Sequence, residues 1–192
     1  MIEYEIFTSL IFFLCAFYKF NKGKSIDISH LCCFLFAAYI IAVFFITDIG
    51  TIFEGFENGV VLNIVTFNVH PFSRHIYMPS YFANVLMFVP FGFLSSIIER
   101  QDIGVVRAFL EGLGFSLVIE LSQLLNDRYT DVDDLIMNTA GALIGYILYK
   151  LIFKKRFPKG GKPRFEAFTY MAVMFLGHFL LFDESIFLKI FH

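Results

Sequence analysis

The chain has 192 residues and a formal net charge of −2; 58% of it is hydrophobic, with 28 phenylalanines, no tryptophan and a mean hydropathy of +0.72. A soluble domain of this length needs no such excess to fill one core, so the composition is that of an integral membrane protein. There is no Rossmann, P-loop or kinase signature and no long soluble stretch, and no cofactor is implied.

In chain order, apolar runs at 6–20, 31–49, 82–98, 105–126, 134–153 and 168–182 are candidate spans, several of them near the ~20 residues a helix needs to cross the hydrocarbon layer. The first and last are short, so the expected fold class is all-α, a polytopic helical membrane bundle of five to six transmembrane helices. The first run lacks a basic n-region and a small-residue cleavage site, which makes it a retained span rather than a signal peptide. Cys15, Cys32 and Cys33 sit in or beside apolar runs, as buried thiols do, and form neither a disulfide framework nor a metal site.

Positive charge sets the orientation. Lys19, Lys22 and Lys24 follow the first run, Arg100 and Arg107 flank the turn after the third, and the fifth connection carries KKRFPKGGKPR. Those are inside loops, and the other side keeps Arg74, Arg128 and Lys189, so both termini are expected outside. The basic fifth loop reads as a topology determinant touching anionic headgroups, not as a nucleic-acid site. The chain divides into two N-terminal helices (1–50), a core with an outer loop and three helices (51–153), and a basic inner loop with a final helix (154–192).

Against this apolar background the stretch 120-ELSQLLNDRYTDVDDLIMNTAG-141 is unusually polar. With the topology above, Glu120 and Gln123 fall at the outer end of the fourth span, Asp134 and Asn138 at the outer end of the fifth, and Asn84 at the outer start of the third. Helical spacing puts Gly112, Ser116, Glu120, Gln123 and Asp127 on one stripe, and Asp134, Asn138, Gly141 and Gly145 on another. Small residues at four-residue spacing allow close helix approach in lipid, so the two stripes are expected to face each other around a polar pocket opening outward.

Glu120 lies about two turns inside a span, where a carboxylate costs ~2.5–3.5 kcal/mol at the helix centre and less near an interface. It therefore needs a partner, for which Arg128, Gln123 and Asn84 are the candidates. Glu111 is one turn from Arg107, and those two are expected to pair. The segment Thr130–Asp134 precedes a helix, so at least one of Asp131, Asp133 and Asp134 is expected to cap it. Pro90 and Gly92, within NVLMFVPFGFL, predict a kink in the third span.

Taken jointly, Asn84-x3-Phe88-x-Pro90-x-Gly92 and Glu120-x2-Gln123-x4-Arg128-x2-Asp131-x2-Asp134-x3-Asn138-Thr139-x-Gly141-x3-Gly145 closely resemble the VanZ-like family of bacterial membrane proteins. The segment 68-NVHPF-72 resembles the family's Asn-x-x-Pro-Phe, with His70 where an aliphatic residue is more usual. The resemblance covers roughly residues 60–150. It implies a multi-pass protein of the bacterial cytoplasmic membrane, associated in its founding member with low-level teicoplanin resistance, and it carries no settled mechanism. The site residues it implies are Asn84, Glu120, Gln123, Arg128, Asp131, Asp134 and Asn138.

Two functions remain open at this point. In one, the pocket binds a lipid, a lipid-linked cell-wall precursor or a glycopeptide and lowers glycopeptide susceptibility. In the other, the protein is a membrane enzyme acting on an external lipid-linked substrate, with Glu120 or Asp131 as base, Arg128 stabilising negative charge, and His70 or His75 as a further acid. A transporter is a weaker third reading, because the polar groups gather at one surface and no internal repeat is visible.

Overall fold

The computed structural model describes residues 2–23, 28–57, 67–68, 70–73, 78–99, 103–124, 130–153 and 165–181. It is an all-α bundle: α1 (Ile2–Asn21), α2 (Ile28–Thr47), a short α3 (Ile52–Glu57), α4 (Met78–Ile98), α5 (Val105–Gln123), α6 (Val132–Phe153) and α7 (Glu166–Leu181). Among the described residues there is also a pair of two-residue strands, β1 (Phe67–Asn68) and β2 (Thr130–Asp131), paired in parallel with Phe67 opposite Thr130 and Asn68 opposite Asp131. Arg74, His75, Asp127, Arg128 and the basic run 154–164 lie outside the described residues.

Among the described residues, three helical stretches are long and apolar enough to cross a membrane: His30–Thr47, Met78–Ile98 and Val132–Phe153. The apolar run of α5 is interrupted by Arg107, Glu111 and Glu120, while α1 and α7 contain shorter apolar stretches. The outer surface is apolar: Leu31, Ile46, Phe82, Leu86, Val106, Leu121, Leu151 and Ile152 are all more than half exposed. In water this would be an aggregating surface, whereas in lipid it is a solvated one.

The helices alternate in direction, as their cross-contacts show. Gly177 near the end of α7 sits against Thr8 and Phe12 near the start of α1, and Asn21 at the end of α1 donates to Tyr170 near the start of α7. The closest packing is between α4 and α6. A Cβ on Gly92 would stand 1.9 Å from the Ala142 carbonyl oxygen; one on Gly141 would be 2.2 Å from that of Val85, and one on Gly145 would be 2.1 Å from that of Val89. Backbone meets backbone along this seam, the arrangement that small residues permit where no hydrophobic effect drives helices together.

The seam corrects the expectation that the two small-residue stripes face each other. Gly112 of α5 does lie against α6, 2.5 Å from the Ala142 Cβ if extended by one carbon, but Gly141 and Gly145 face α4. The stripe divides between two neighbours: Asn138 meets Ser116 of α5, while Gly141 and Gly145 meet the α4 backbone. Where helices stand further apart, rings fill the space: Phe88, Phe91 and Phe115 are buried with centroids 5.0–6.0 Å apart, and Phe36 extends the cluster to α2. The α4 helix continues through Pro90, and the Ser96 hydroxyl donates to the Gly92 carbonyl at 2.7 Å.

Candidate functional site

Antiparallel alternation brings the C-terminal ends of α2 and α5 and the N-terminal ends of α4 and α6 to one end of the bundle. A cleft of about 180 Å³ opens there, lined by the polar Asn84, Glu120, Gln123, Asp134 and Asn138 and by the apolar Ile46, Met87 and Ile119. Five of the seven residues predicted for the site therefore converge, from three helices. Arg128 lies outside the described residues, and Asp131 stands beside the cleft rather than lining it.

Each side chain is held by a definite bond. Gln123 Nε2 donates to the Thr47 carbonyl at 2.6 Å, tying α5 to the end of α2. Asn84 Nδ2 donates to Asp134 Oδ1, tying α4 to α6. Asn138 Nδ2 donates to Ser116 Oγ at 3.0 Å, tying α6 to α5, while Asn138 Oδ1 has no partner although the residue is only 2% exposed. The backbone N–H of Asp131 donates to Glu120 Oε2 at 3.4 Å. Two of the partners expected for Glu120, Asn84 and Gln123, thus bond elsewhere, because α2 and the first turn of α6 lie closer to them.

The aspartates divide their work. Asp131 Oδ1 accepts the N–H of Asp133 at 3.0 Å, which makes Asp131 the N-cap of α6, and both its oxygens accept from Asn68 Nδ2. Asp133 is 1% exposed and accepts the Phe72 N–H at 2.8 Å on one oxygen and the Tyr81 hydroxyl on the other. Of the three, Asp134 faces the cleft.

Sequence reasoning missed this clamp of Asn68, Tyr81 and Asp133. Asn68 Oδ1 also accepts from the His70 N–H and the Ser73 hydroxyl, so one amide folds the NVHPF turn and anchors it to β2. Phe72, at φ 56°, holds a left-handed conformation unusual for a bulky side chain, and Asp133 fixes its N–H. The signal available was the NVHPF segment itself, whose Asn and Pro announce a turn without naming what the turn binds. His70 is exposed, with no side-chain placement in the cleft.

At the opposite end, Arg107 pairs with Glu111 at 2.7 Å, as its spacing predicts, and also lies 3.0 Å from Glu99 at the end of α4. Glu99 in turn accepts the N–H groups of Phe165 and Ala167, capping α7, and the Arg107 guanidinium covers the Phe165 ring at 4.1 Å. This cluster is a structural fastener joining α4, α5 and α7. Among the described residues, no group of three or more His, Cys, Asp or Glu side chains is placed to hold a metal ion.

A helical bundle with lipid-compatible walls and a buried polar cleft at one end defines a membrane protein with a candidate ligand site. The chain belongs to the VanZ/LLP1 family, whose profile matches residues 31–154. It is similar to Protein VanZ of Enterococcus faecium, at 34% identity over 85 residues, which cover 44% of this chain and 52% of that protein. The chain thus matches about half the length of that curated relative. No solved structure matches it.

Proposed function

We propose that this protein is a multi-pass protein of the bacterial cytoplasmic membrane whose cleft faces outward, binds a lipid, a cell-wall precursor or a glycopeptide, and so lowers susceptibility to teicoplanin-type glycopeptides. The observation that carries this reading is Asn138: a buried amide in the cleft wall with one polar atom left unpartnered, beside Glu120 and Asp134. A buried polar atom without a partner costs about 1–3 kcal/mol, which a ligand group would recover. Ionisable residues inside a bundle usually mark function rather than packing.

The outward orientation is supported by charge. The end opposite the cleft carries Lys19 and Lys22 of the α1 terminus, Lys150 in the last turn of α6, and Arg107. Family membership and the likeness to Protein VanZ support the link to glycopeptides. If the cleft instead catalyses a step on a lipid-linked substrate, the base falls to Glu120, because the Asp131 carboxylate is taken by Asn68 and the α6 terminus.

The test is teicoplanin susceptibility of cells expressing wild type, Glu120→Gln or Asn138→Ala at matched membrane levels. Protection by wild type that both variants lose is expected. Undiminished protection by both would remove the cleft from the function.

A further inference from the structure

Hydrogen-bond donors and acceptors are unequally divided in the cleft. Asn84 and Gln123 each direct an amide N–H into the protein, toward Asp134 and the Thr47 carbonyl respectively. Their side-chain oxygens remain acceptors, and Glu120 and Asp134, when ionised, are acceptors only. Asn138, whose Nδ2 donates to Ser116 Oγ, adds an unpartnered acceptor, Oδ1. Among the described residues, no Lys, Arg or His lines the cleft.

We propose that the cleft binds a protonated amine borne on a small headgroup, with the ammonium held by Glu120 and Asp134 and one of its N–H groups donated to Asn138 Oδ1. The proposal rests on the reading above that the cleft is a ligand site, and it names the chemistry of that ligand. An ammonium supplies three donors and no acceptor, the complement of this wall. Two carboxylates in a low-dielectric bundle favour a cation and repel a phosphate brought equally near. At about 180 Å³ the cleft admits an aminoalkyl group and excludes a whole glycopeptide, so a large ligand would insert only its amine-bearing tip.

Such an amine has two sources: a lipid headgroup in the outer leaflet, or a free amine on a soluble peptide or glycopeptide. The experiment measures binding of short-chain phosphatidylethanolamine and of its N-acetylated counterpart to the full chain in detergent micelles, then repeats it with millimolar n-butylammonium as competitor. At least tenfold tighter binding of the free-amine lipid is expected, with the preference lost in Glu120→Gln. Displacement by n-butylammonium would mean that the amine is recognised whatever carries it, and a preference that survives the competitor would assign the ligand to the lipid.

Equal affinity for the two lipids, a preference for the acetylated form, or no binding of either would overturn the proposal. The wild-type comparison alone decides this, so a variant that fails to fold does not obscure it. If the cleft variants abolish drug protection while the amine preference is absent, the site stands and its ligand chemistry is wrong. If the preference is present while protection is unchanged, the amine site stands and the resistance reading fails.

Discussion

Asn68 and Asp131 lie opposite each other in a two-residue parallel ladder, 63 positions apart in the chain, and the Asn68 amide reaches both Asp131 oxygens at 3.1 and 3.2 Å. The same aspartate caps α6, and its backbone N–H bonds Glu120. The turn before α4, the start of α6 and the carboxylate of the cleft are thereby joined through one residue.

Asn68→Ala should loosen this junction. Hydrogen bonds to a charged group contribute about 1.5–3 kcal/mol, and part of that would remain through the α6 cap, so we expect a loss near the lower figure. Thermal unfolding in detergent reads the stability, and faster proteolysis near residues 68–73 reads the released turn. Unchanged values of both would show that the ladder is incidental.

Gly145→Ala should disrupt the α4–α6 seam, because its Cβ would stand 2.1 Å from the Val89 carbonyl, a backbone atom that cannot step aside. Overpacking costs typically about 1–3 kcal/mol, and rigid neighbours place this site at the upper end. Gly114→Ala is the control, since beyond its own stretch of helix backbone nothing lies within 4 Å of the added carbon. Folded yield by size-exclusion chromatography should fall for the first and hold for the second.

Removing the arginine between Glu99 and Glu111 leaves two buried carboxylates without it. Arg107→Met should cost about 3–5 kcal/mol, and adding Glu111→Gln should restore part of the loss by removing one uncompensated charge. A double variant as unstable as the single one in thermal denaturation would show that Glu111 is not coupled to Arg107.

Orientation is readable by cysteine labelling in a background lacking Cys15, Cys32 and Cys33. Ser73 and Lys22 are both exposed, at opposite ends of the bundle. A membrane-impermeant maleimide should label Ser73→Cys in intact cells, and Lys22→Cys only after permeabilisation. The reverse pattern would place the cleft inside.

Gln123→Ala removes the bond from its amide to the Thr47 carbonyl, which ties α5 to α2 at the cleft rim. A stability loss of about 1 kcal/mol is expected, with a larger fall in drug protection than in membrane level. Protection that falls only in step with protein level would make Gln123 structural.

The sequence by itself determined the class, the long helices and five of the residues that line the cleft. Apolar run length and charge are local properties, so 82–98 and 134–153 read as helices before any packing was known, and α4 and α6 contain them. The alternation of spans likewise carried Glu120, Gln123, Asp134 and Asn138 to one end, and helical spacing paired Arg107 with Glu111, because i, i+4 neighbours are fixed by helix geometry alone.

Only the tertiary structure decided which helix each face meets. Gly141 and Gly145 turned to α4 because its backbone, with Gly92, allows the closer approach, a relation between two distant segments that no periodicity encodes. The same holds for Asp131, Asp133 and Asp134. Three neighbouring aspartates carry identical chemistry in the sequence, and their roles as cap, clamp and cleft wall follow from Asn68, Tyr81 and Asn84, which stand 50–63 residues away.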